Sequence, residues 1–134
     1  MKQYLIDTQI AIWTKGNTRM LKPEIKAILE DIDNEIYVSH FSFQEIAIKL
    51  QVGKLPEFIV SVEEFAQRLA DDDFISLPIT INHIISYKNI PFYEDHRDPF
   101  DRMILATALS ENLTLITSDD KFDRYSPLVE IIKA

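Results

Sequence analysis

Short, mainly apolar runs, most of them separated by segments with helical spacing, constrain the fold of this chain most strongly. The runs cover residues 4–6, 36–38, 74–77, 113–116 and 129–132. In the segments 8–13, 23–33, 43–51, 61–70 and 100–112, apolar residues recur at the three- and four-residue spacing of one helix face. Buried strands that alternate with helices indicate an α/β fold, a three-layer α/β/α sandwich whose central, mostly parallel sheet has about four to five strands.

Local signals mark several element boundaries. Pro23 suits the first turn of a helix that runs to residue 33 and buries Ile32 on its apolar face. The spacing of Ser42 and Glu45 matches a capping box that opens the helix 43–51. Thr80 is a candidate cap for a further short helix. Residues 89–99 contain two prolines and many polar residues, which predicts a loop.

The length of the chain limits its organisation. With 134 residues and 46% apolar composition, it can form one sizeable core, so we predict a single domain over residues 1–134. No stretch approaches the roughly 20 apolar residues that span a bilayer. We therefore expect a cytoplasmic chain that has no membrane partner.

The residue types restrict the available chemistry. The sequence has no cysteine, which excludes thiolate zinc sites, disulfides and cysteine nucleophiles. Its three histidines show no metal-ligand spacing. The net charge of −8 opposes binding of a phosphate backbone, unless clustered acids hold divalent cations and basic residues border them.

Four acidic residues stand where such a cluster would form. Asp7 and Asp119 each directly follow a predicted strand, Glu45 lies near the start of the helix after the second strand, and Asp101 opens the long helix. Loops at the carboxyl ends of parallel strands meet at one edge of the sheet, where ligands bind. Each acid alone also fits a helix cap. Together, however, the four carboxylates would repel one another unless a hard divalent cation neutralised them.

Four segments then carry a resemblance to a known family. They are residues 4–8 (YLIDT), 45–50 with 53–55 (EIAIKL and GKL), 96–102 (HRDPFDR), and 117–119 with Phe122 (TSD and F). In this order and at these spacings the chain resembles the PIN-domain ribonucleases, specifically the VapC-like toxins of bacterial toxin–antitoxin pairs. The resemblance covers nearly the whole chain.

The resemblance implies a PIN-like fold and a divalent-metal-dependent endoribonuclease that leaves a 5′-phosphate and a 3′-hydroxyl. Its catalytic residues would be Asp7, Glu45, Asp101 and Asp119. Mg²⁺ or Mn²⁺ would be held by Asp7, Asp101 and Asp119, and Glu45 would orient or deprotonate the attacking water. The implied partners are an RNA substrate, a cognate antitoxin protein and a second copy of the chain in a homodimer.

Further residues near these acids are weaker candidates. The hydroxyls of Thr8 and Thr117 are placed to hydrogen-bond an acid or a substrate phosphate, or to make local turn bonds. Lys49, Arg97 and Arg102 are candidate phosphate ligands, with solvated surface charge as the alternative.

Three positions stay open from the sequence alone. Asp98 lies three residues before Asp101 and Asp120 stands beside Asp119, so either acid can exchange roles with its neighbour. His96 is a candidate proton donor, although a histidine in a loop is more often ordinary surface.

Two other functions compete with the nuclease. A Mg²⁺-dependent phosphotransfer or phosphatase domain also places acids at the carboxyl edge of a parallel sheet. The phosphatase type, however, wants an acid two residues beyond Asp7, where Gln9 stands. The other alternative is a non-catalytic acidic interaction module, whose carboxylates cap helices and receive basic side chains from a partner.

Overall fold

The computed structural model describes residues 2–58 and 60–134. Its strands are β1 (Gln3–Ile6), β2 (Glu35–Ser39), β3 (Ile75–Leu77), β4 (Thr114–Thr117) and β5 (Ile131–Lys133). Its helices are α1 (Thr8–Gly16), α2 (Pro23–Glu30), α3 (His40–Gln51), α4 (Val62–Asp71), α5 (Ile81–Ser86) and α6 (Pro99–Glu111). The elements follow the predicted order, which confirms the α/β class.

All five strands run parallel in one sheet, in the order β3-β2-β1-β4-β5. The central strand is β1, where Ile6 is level with Val38 of β2 and with Ile116 of β4. The next residues, Asp7 and Thr117, therefore stand side by side at the carboxyl edge. This register brings together two residues that are 110 positions apart in the sequence.

The sheet is buried on both faces. Tyr4, Ile6 and Ile116 belong to a core cluster that includes residues of α1 to α4. Leu5 and Leu115 belong to a second cluster, formed largely with residues of α6. Alternate residues of one strand thus enter opposite cores, which is why β1 and β4 show adjacent apolar residues rather than a polar–apolar alternation. The predicted three-layer sandwich is confirmed.

The predicted capping box at Ser42 and Glu45 is wrong. Helix α3 begins three residues earlier than expected, at His40, because Ser39 ends β2 and its hydroxyl accepts a hydrogen bond from the Phe41 N–H at 3.0 Å. Ser42 is therefore a buried residue within the helix. Glu45 lies in its second turn, where a side chain cannot cap the free N–H groups.

Helix α2 is shorter than predicted. It ends at Glu30, and the chain turns before β2, with the Asn34 N–H bonded to the Asp31 carbonyl. Ile32 lies in this turn and is 95% exposed. The expectation that Ile32 packs on a buried helix face is thus wrong, because the helical spacing continues in the sequence beyond the point where the backbone leaves the helix.

The long helix α6 ends in a left-handed cap at Asn112. Asn112 has φ 56°, and the Leu113 N–H bonds to the Ala108 carbonyl. Leu113 therefore belongs to this cap, and β4 begins one residue later than the apolar run predicts. Among the described helices, none combines the length and apolar character that crossing a bilayer requires.

Candidate functional site

Asp7 connects the central strand to the first helix. Its Oδ1 accepts a hydrogen bond from the Ile10 N–H at 2.9 Å, so the carboxylate caps α1. Its Oδ2 accepts a hydrogen bond from the Thr117 hydroxyl. The side chain is buried at the carboxyl edge of the sheet. The capping and active-site interpretations of Asp7 are therefore compatible.

Thr117 links two of the predicted acids. While its hydroxyl donates to Asp7, it accepts a hydrogen bond from the Asp119 N–H at 3.1 Å. Asp119 then caps the short 3₁₀ helix Asp120–Tyr125 by accepting from the Lys121 N–H at 2.9 Å. The exposed Asp120 instead forms an ion pair with Lys133. Of the two neighbouring aspartates, Asp119 is the one whose charge raises the pKa of Asp7.

Glu45 reaches the site from α3. Its Oε1 lies 2.7 Å from the hydroxyl oxygen of Thr8, which is itself 2.9 Å from the hydroxyl oxygen of Ser42. Because Thr8 has one hydroxyl proton, it donates to the carboxylate and accepts from Ser42. The other carboxylate oxygen, Oε2, lies 3.0 Å from Nζ of Lys49. Glu45 is thus held by contacts to side chains of α1 and of its own helix.

Asp101 lies in the first turn of α6 without capping it. The cap is Asp98, which accepts a hydrogen bond from the Phe100 N–H at 2.8 Å. Oδ2 of Asp101 lies 2.9 Å from Nε2 of the buried His96. The Asp101 side chain itself is 23% exposed. The two aspartates therefore differ in their contacts, since Asp98 ends the loop and Asp101 is paired with a histidine.

The pKa values show that these carboxylates act on one another. The pKa of Asp7 is raised to about 6, mainly by burial; the charges of Asp101 and Asp119 also raise it, and hydrogen bonds from Thr117 and the Ile10 N–H lower it. Burial also raises the pKa of Asp101, and Glu45 is among the negative charges that add to this effect. Acids from four separate elements thus share one region of negative potential.

The donor set suits a hard divalent cation. It contains carboxylates and hydroxyls, whose oxygen atoms Mg²⁺ and Mn²⁺ prefer. In the part of the chain that the structure describes, no three acidic or histidine side chains are close enough to hold one ion. This spacing fits the binding mode of Mg²⁺, which is commonly held by one or two carboxylates and keeps several of its waters.

The predicted basic residues differ in their positions. Lys49 adjoins Glu45 and is partly exposed, and Arg97 is exposed beside Glu94, 3.6 Å away. Arg102 is only 5% exposed, and its guanidinium donates to the carbonyls of Pro91 and Ile90 at 2.8 and 3.0 Å. The expectation that Arg102 binds a substrate phosphate is therefore corrected, because its donors already hold the loop before α6.

Sequence reasoning missed two contacts of the site. Ser42 was interpreted as a helix cap, but its hydroxyl contacts Thr8. Tyr125 was not singled out, although its hydroxyl lies 2.8 Å from Nδ1 of His96. The spacing of Tyr125 gave no signal, since an aromatic residue close to a strand is most often an ordinary core residue.

The chain is thus an α/β protein with a parallel sheet, a class that binds ligands at the carboxyl edge, where its carboxylates lie. The chain belongs to the PIN-domain family, because the family model described as PIN domain matches residues 4–127. Comparison with curated proteins found no significant match in sequence.

Solved structures support the same fold. A chain of VapBC2 from Rickettsia felis, bound to a DNA fragment from their promoter, is 18% identical with a TM-score of 0.69, over 98% of each chain. DNA-bound VapBC from Salmonella typhimurium is 17% identical with a TM-score of 0.68, over 99% of this chain and 98% of that one. VapBC-5 from Mycobacterium tuberculosis is 22% identical with a TM-score of 0.60, over all of both chains. These structural similarities show a shared fold, and the PIN-like architecture implied by the sequence is confirmed.

Proposed function

We propose that this protein is a divalent-metal-dependent endoribonuclease that acts as the toxin of a toxin–antitoxin pair. The observation that carries the proposal is the meeting of four carboxylates at the sheet edge of a PIN-domain chain. Burial and mutual repulsion make the ionised site unfavourable, as the raised pKa values of Asp7 and Asp101 indicate. A divalent cation relieves that repulsion, and PIN-domain nucleases generally use one.

The proposed metal-holding residues are Asp7, Asp101 and Asp119, with one or two of them bonded directly and the rest through water. When bound, Mg²⁺ or Mn²⁺ would supply a Lewis acid for the scissile phosphate and lower the pKa of a coordinated water. Thr117 supports two of these residues, because it donates to the Asp7 carboxylate and accepts the Asp119 N–H. The metal site thus depends on the contact between the ends of β1 and β4.

Glu45 is proposed to orient the attacking water and to accept its proton. The Thr8 hydroxyl fixes Oε1 of this carboxylate, and the partly exposed Lys49 contacts Oε2. We propose that Lys49 and the exposed Arg97 also bind RNA phosphates. Local basic groups are needed for that contact, because the net charge of −8 repels a polyanion at longer range.

The proposed partners are an antitoxin protein and a second copy of the chain. VapBC-5 from Mycobacterium tuberculosis, which shares the fold, is described as a member of the VapBC family of toxin–antitoxin systems, and this supports an antitoxin. The homodimer rests on the family resemblance alone. Light scattering of the purified chain tests it, since a mass of one chain, 15.6 kDa, would contradict the dimer.

Cleavage of a labelled pool of structured RNA, beside DNA of matched sequence, tests the proposed activity. We expect cleavage of RNA with Mg²⁺ or Mn²⁺, no cleavage in EDTA, and none by Asp7→Asn. The matched control is Asp33→Asn, which changes an exposed aspartate in the turn before β2 and should cut as the wild type does.

Each other outcome favours a different function. Cleavage of DNA alone would contradict the RNA substrate. Folded protein that binds no divalent metal and cuts nothing would favour an acidic interaction module. Covalent labelling of an aspartate by acyl phosphate would favour a phosphotransfer domain.

A further inference from the structure

His96 is a buried side chain at the end of the loop that leads into α6. It is 3% exposed, and its backbone N–H bonds to the Tyr93 carbonyl at 3.1 Å. Two aromatic rings pack against the imidazole, with centroid distances of 5.4 Å to Phe122 and 5.5 Å to Tyr125. The imidazole is therefore a fixed part of the core rather than a mobile surface group.

Each ring nitrogen of His96 has one hydrogen-bond partner. Nε2 lies 2.9 Å from Oδ2 of Asp101, and Nδ1 lies 2.8 Å from the hydroxyl of Tyr125. An ionised carboxylate can only accept, so Nε2 carries the proton and donates to Asp101. Nδ1 then accepts from Tyr125. The three side chains thus form one directed series of donors, from Tyr125 through His96 to Asp101.

The backbone around Asp101 is held by other contacts. Asp98 caps α6, and Arg102 binds the carbonyls of Ile90 and Pro91 in the preceding loop. The start of the helix therefore does not depend on the hydrogen bond from His96. What that bond fixes is the rotation of the Asp101 carboxyl group. Its other oxygen, Oδ1, accepts no hydrogen bond from residues 2–58 or 60–134.

We propose that His96, held in one tautomer by Tyr125, is a positioning residue that orients the Asp101 carboxylate for metal binding and leaves Oδ1 to face the ion. This inference rests on the proposed function, since it assigns Asp101 to a metal site. Hydrogen-bond partners of metal ligands fix ligand orientation, and their loss costs about 10- to 100-fold in metal affinity or activity.

Two substitutions at His96 separate the two hydrogen bonds. The amide nitrogen of His96→Gln reaches the position of Nε2 and keeps a donor for Asp101. The shorter His96→Asn reaches only the position of Nδ1 and loses that donor. Tyr125→Phe removes one hydroxyl and keeps the ring that packs on the imidazole, so it tests the other end of the series even if substitutions at His96 impair folding.

The fold offers a matched control on the same helix. His83 is also fully buried, and its Nε2 lies 2.6 Å from Oε2 of Glu111 at the far end of α6. The residues Asp101 and Glu111 are about 15 Å apart along the helix, from the rise of 1.5 Å per residue. His83→Asn therefore removes the Nε2 contact of a similar histidine–carboxylate pair away from the site.

The experiment measures Mn²⁺ affinity of the full chain without RNA, by electron paramagnetic resonance, beside thermal unfolding and RNA cleavage. We expect His96→Asn to weaken Mn²⁺ binding at least about tenfold, Tyr125→Phe to weaken it by a smaller factor, and His96→Gln to recover most of the affinity. The matched control His83→Asn should bind Mn²⁺ as the wild type does. For His96→Asn, kcat should fall while the KM for RNA stays nearly constant.

The outcomes separate this inference from the proposed function. If the wild type binds Mn²⁺ and folded His96→Asn and Tyr125→Phe bind it equally well, the positioning role is overturned while the nuclease stands. If the wild type binds no Mn²⁺, the proposed function fails and the inference fails with it. Imidazole ¹⁵N spectra check the geometry independently, since a protonated Nδ1 in place of Nε2 would overturn the hydrogen-bond series.

Discussion

The hydroxyl of Thr117 donates a hydrogen bond to the carboxylate of Asp7 across a sequence separation of 110 residues. The same oxygen accepts the Asp119 N–H, so one side chain orients two of the proposed metal ligands. Thr117 therefore supports the site through its hydroxyl, which an apolar residue of equal volume lacks.

Replacing Thr117 by valine removes this hydroxyl at nearly constant volume. We expect RNA cleavage to fall about 10- to 100-fold, because a hydrogen bond to a charged group contributes about 1.5–3 kcal/mol. Thr117→Ser keeps the donor and should retain most of the activity. Equal activity of the valine and serine variants would show that the hydroxyl does not support the site.

Asp7→Asn should abolish cleavage and at the same time stabilise the metal-free protein at neutral pH. The pKa of Asp7 is raised to about 6 in the folded state, mainly by burial, so the unfolded chain loses this proton at lower pH than the folded one. Stability therefore falls as pH rises from about 4 to about 6 and stays lower above that. The raised pKa corresponds to roughly 3 kcal/mol, part of which the asparagine variant should regain.

Urea unfolding of wild type and Asp7→Asn at pH 4 and pH 7 measures this difference. The gap between the two proteins should be largest at pH 7 and should shrink at pH 4, where the wild-type carboxyl is protonated in the folded state and partly protonated in the unfolded state. Mn²⁺ at pH 7 should stabilise the wild type more than the variant. A variant that is less stable than wild type at both pH values would contradict the burial effect.

Glu45→Gln should reduce kcat more than it reduces metal affinity. The amide still accepts the hydrogen bond from Thr8 but cannot take a proton from water, which typically costs about 100- to 10,000-fold in rate. Single-turnover cleavage and Mn²⁺ titration distinguish the two effects. The matched control is Glu64→Gln on the exposed surface of α4, which should leave both unchanged. Loss of Mn²⁺ binding by Glu45→Gln would instead make Glu45 a metal ligand.

Arg102→Met should destabilise the fold by about 2–4 kcal/mol, because it leaves the buried Ile90 carbonyl without a donor and removes the hydrogen bond to the Pro91 carbonyl. The guanidinium binds Ile90 and Pro91 and also lies over the rings of Tyr87 and Phe92, at 5.0 and 5.6 Å. Arg102→Lys keeps the charge without the forked donors and should recover only part of the stability. Denaturant unfolding tests this. If Arg102→Met raises the KM for RNA with no loss of stability, Arg102 binds the substrate.

The fold was predictable because the central strands β1 and β4 are buried on both faces. Leu5 and Ile6 enter opposite cores, so a strand of this sheet has no polar alternation and is recognisable as a short apolar run. Strand ends in a parallel sheet also share an edge, which is why Asp7 and Asp119 could be assigned to one site from their positions alone.

Side-chain partners could not be predicted in the same way. Arg102 stands among charged residues of a motif, and nothing in the sequence indicates that its guanidinium turns towards the carbonyls of Ile90 and Pro91. The contact of His96 with Tyr125 joins residues 29 positions apart. Both depend on the path of the loop before α6, which helical and strand periodicity do not encode.

The position of β1 in the middle of the sheet has a consequence during protein synthesis. β1 is translated well before its neighbour β4, which brings Thr117 and Asp119 to Asp7. A nascent chain that lacks β4 has only part of the acid cluster and one open side of its central strand. The complete acid cluster therefore forms only after β4 has been translated, when all six helices α1 to α6 have already been made.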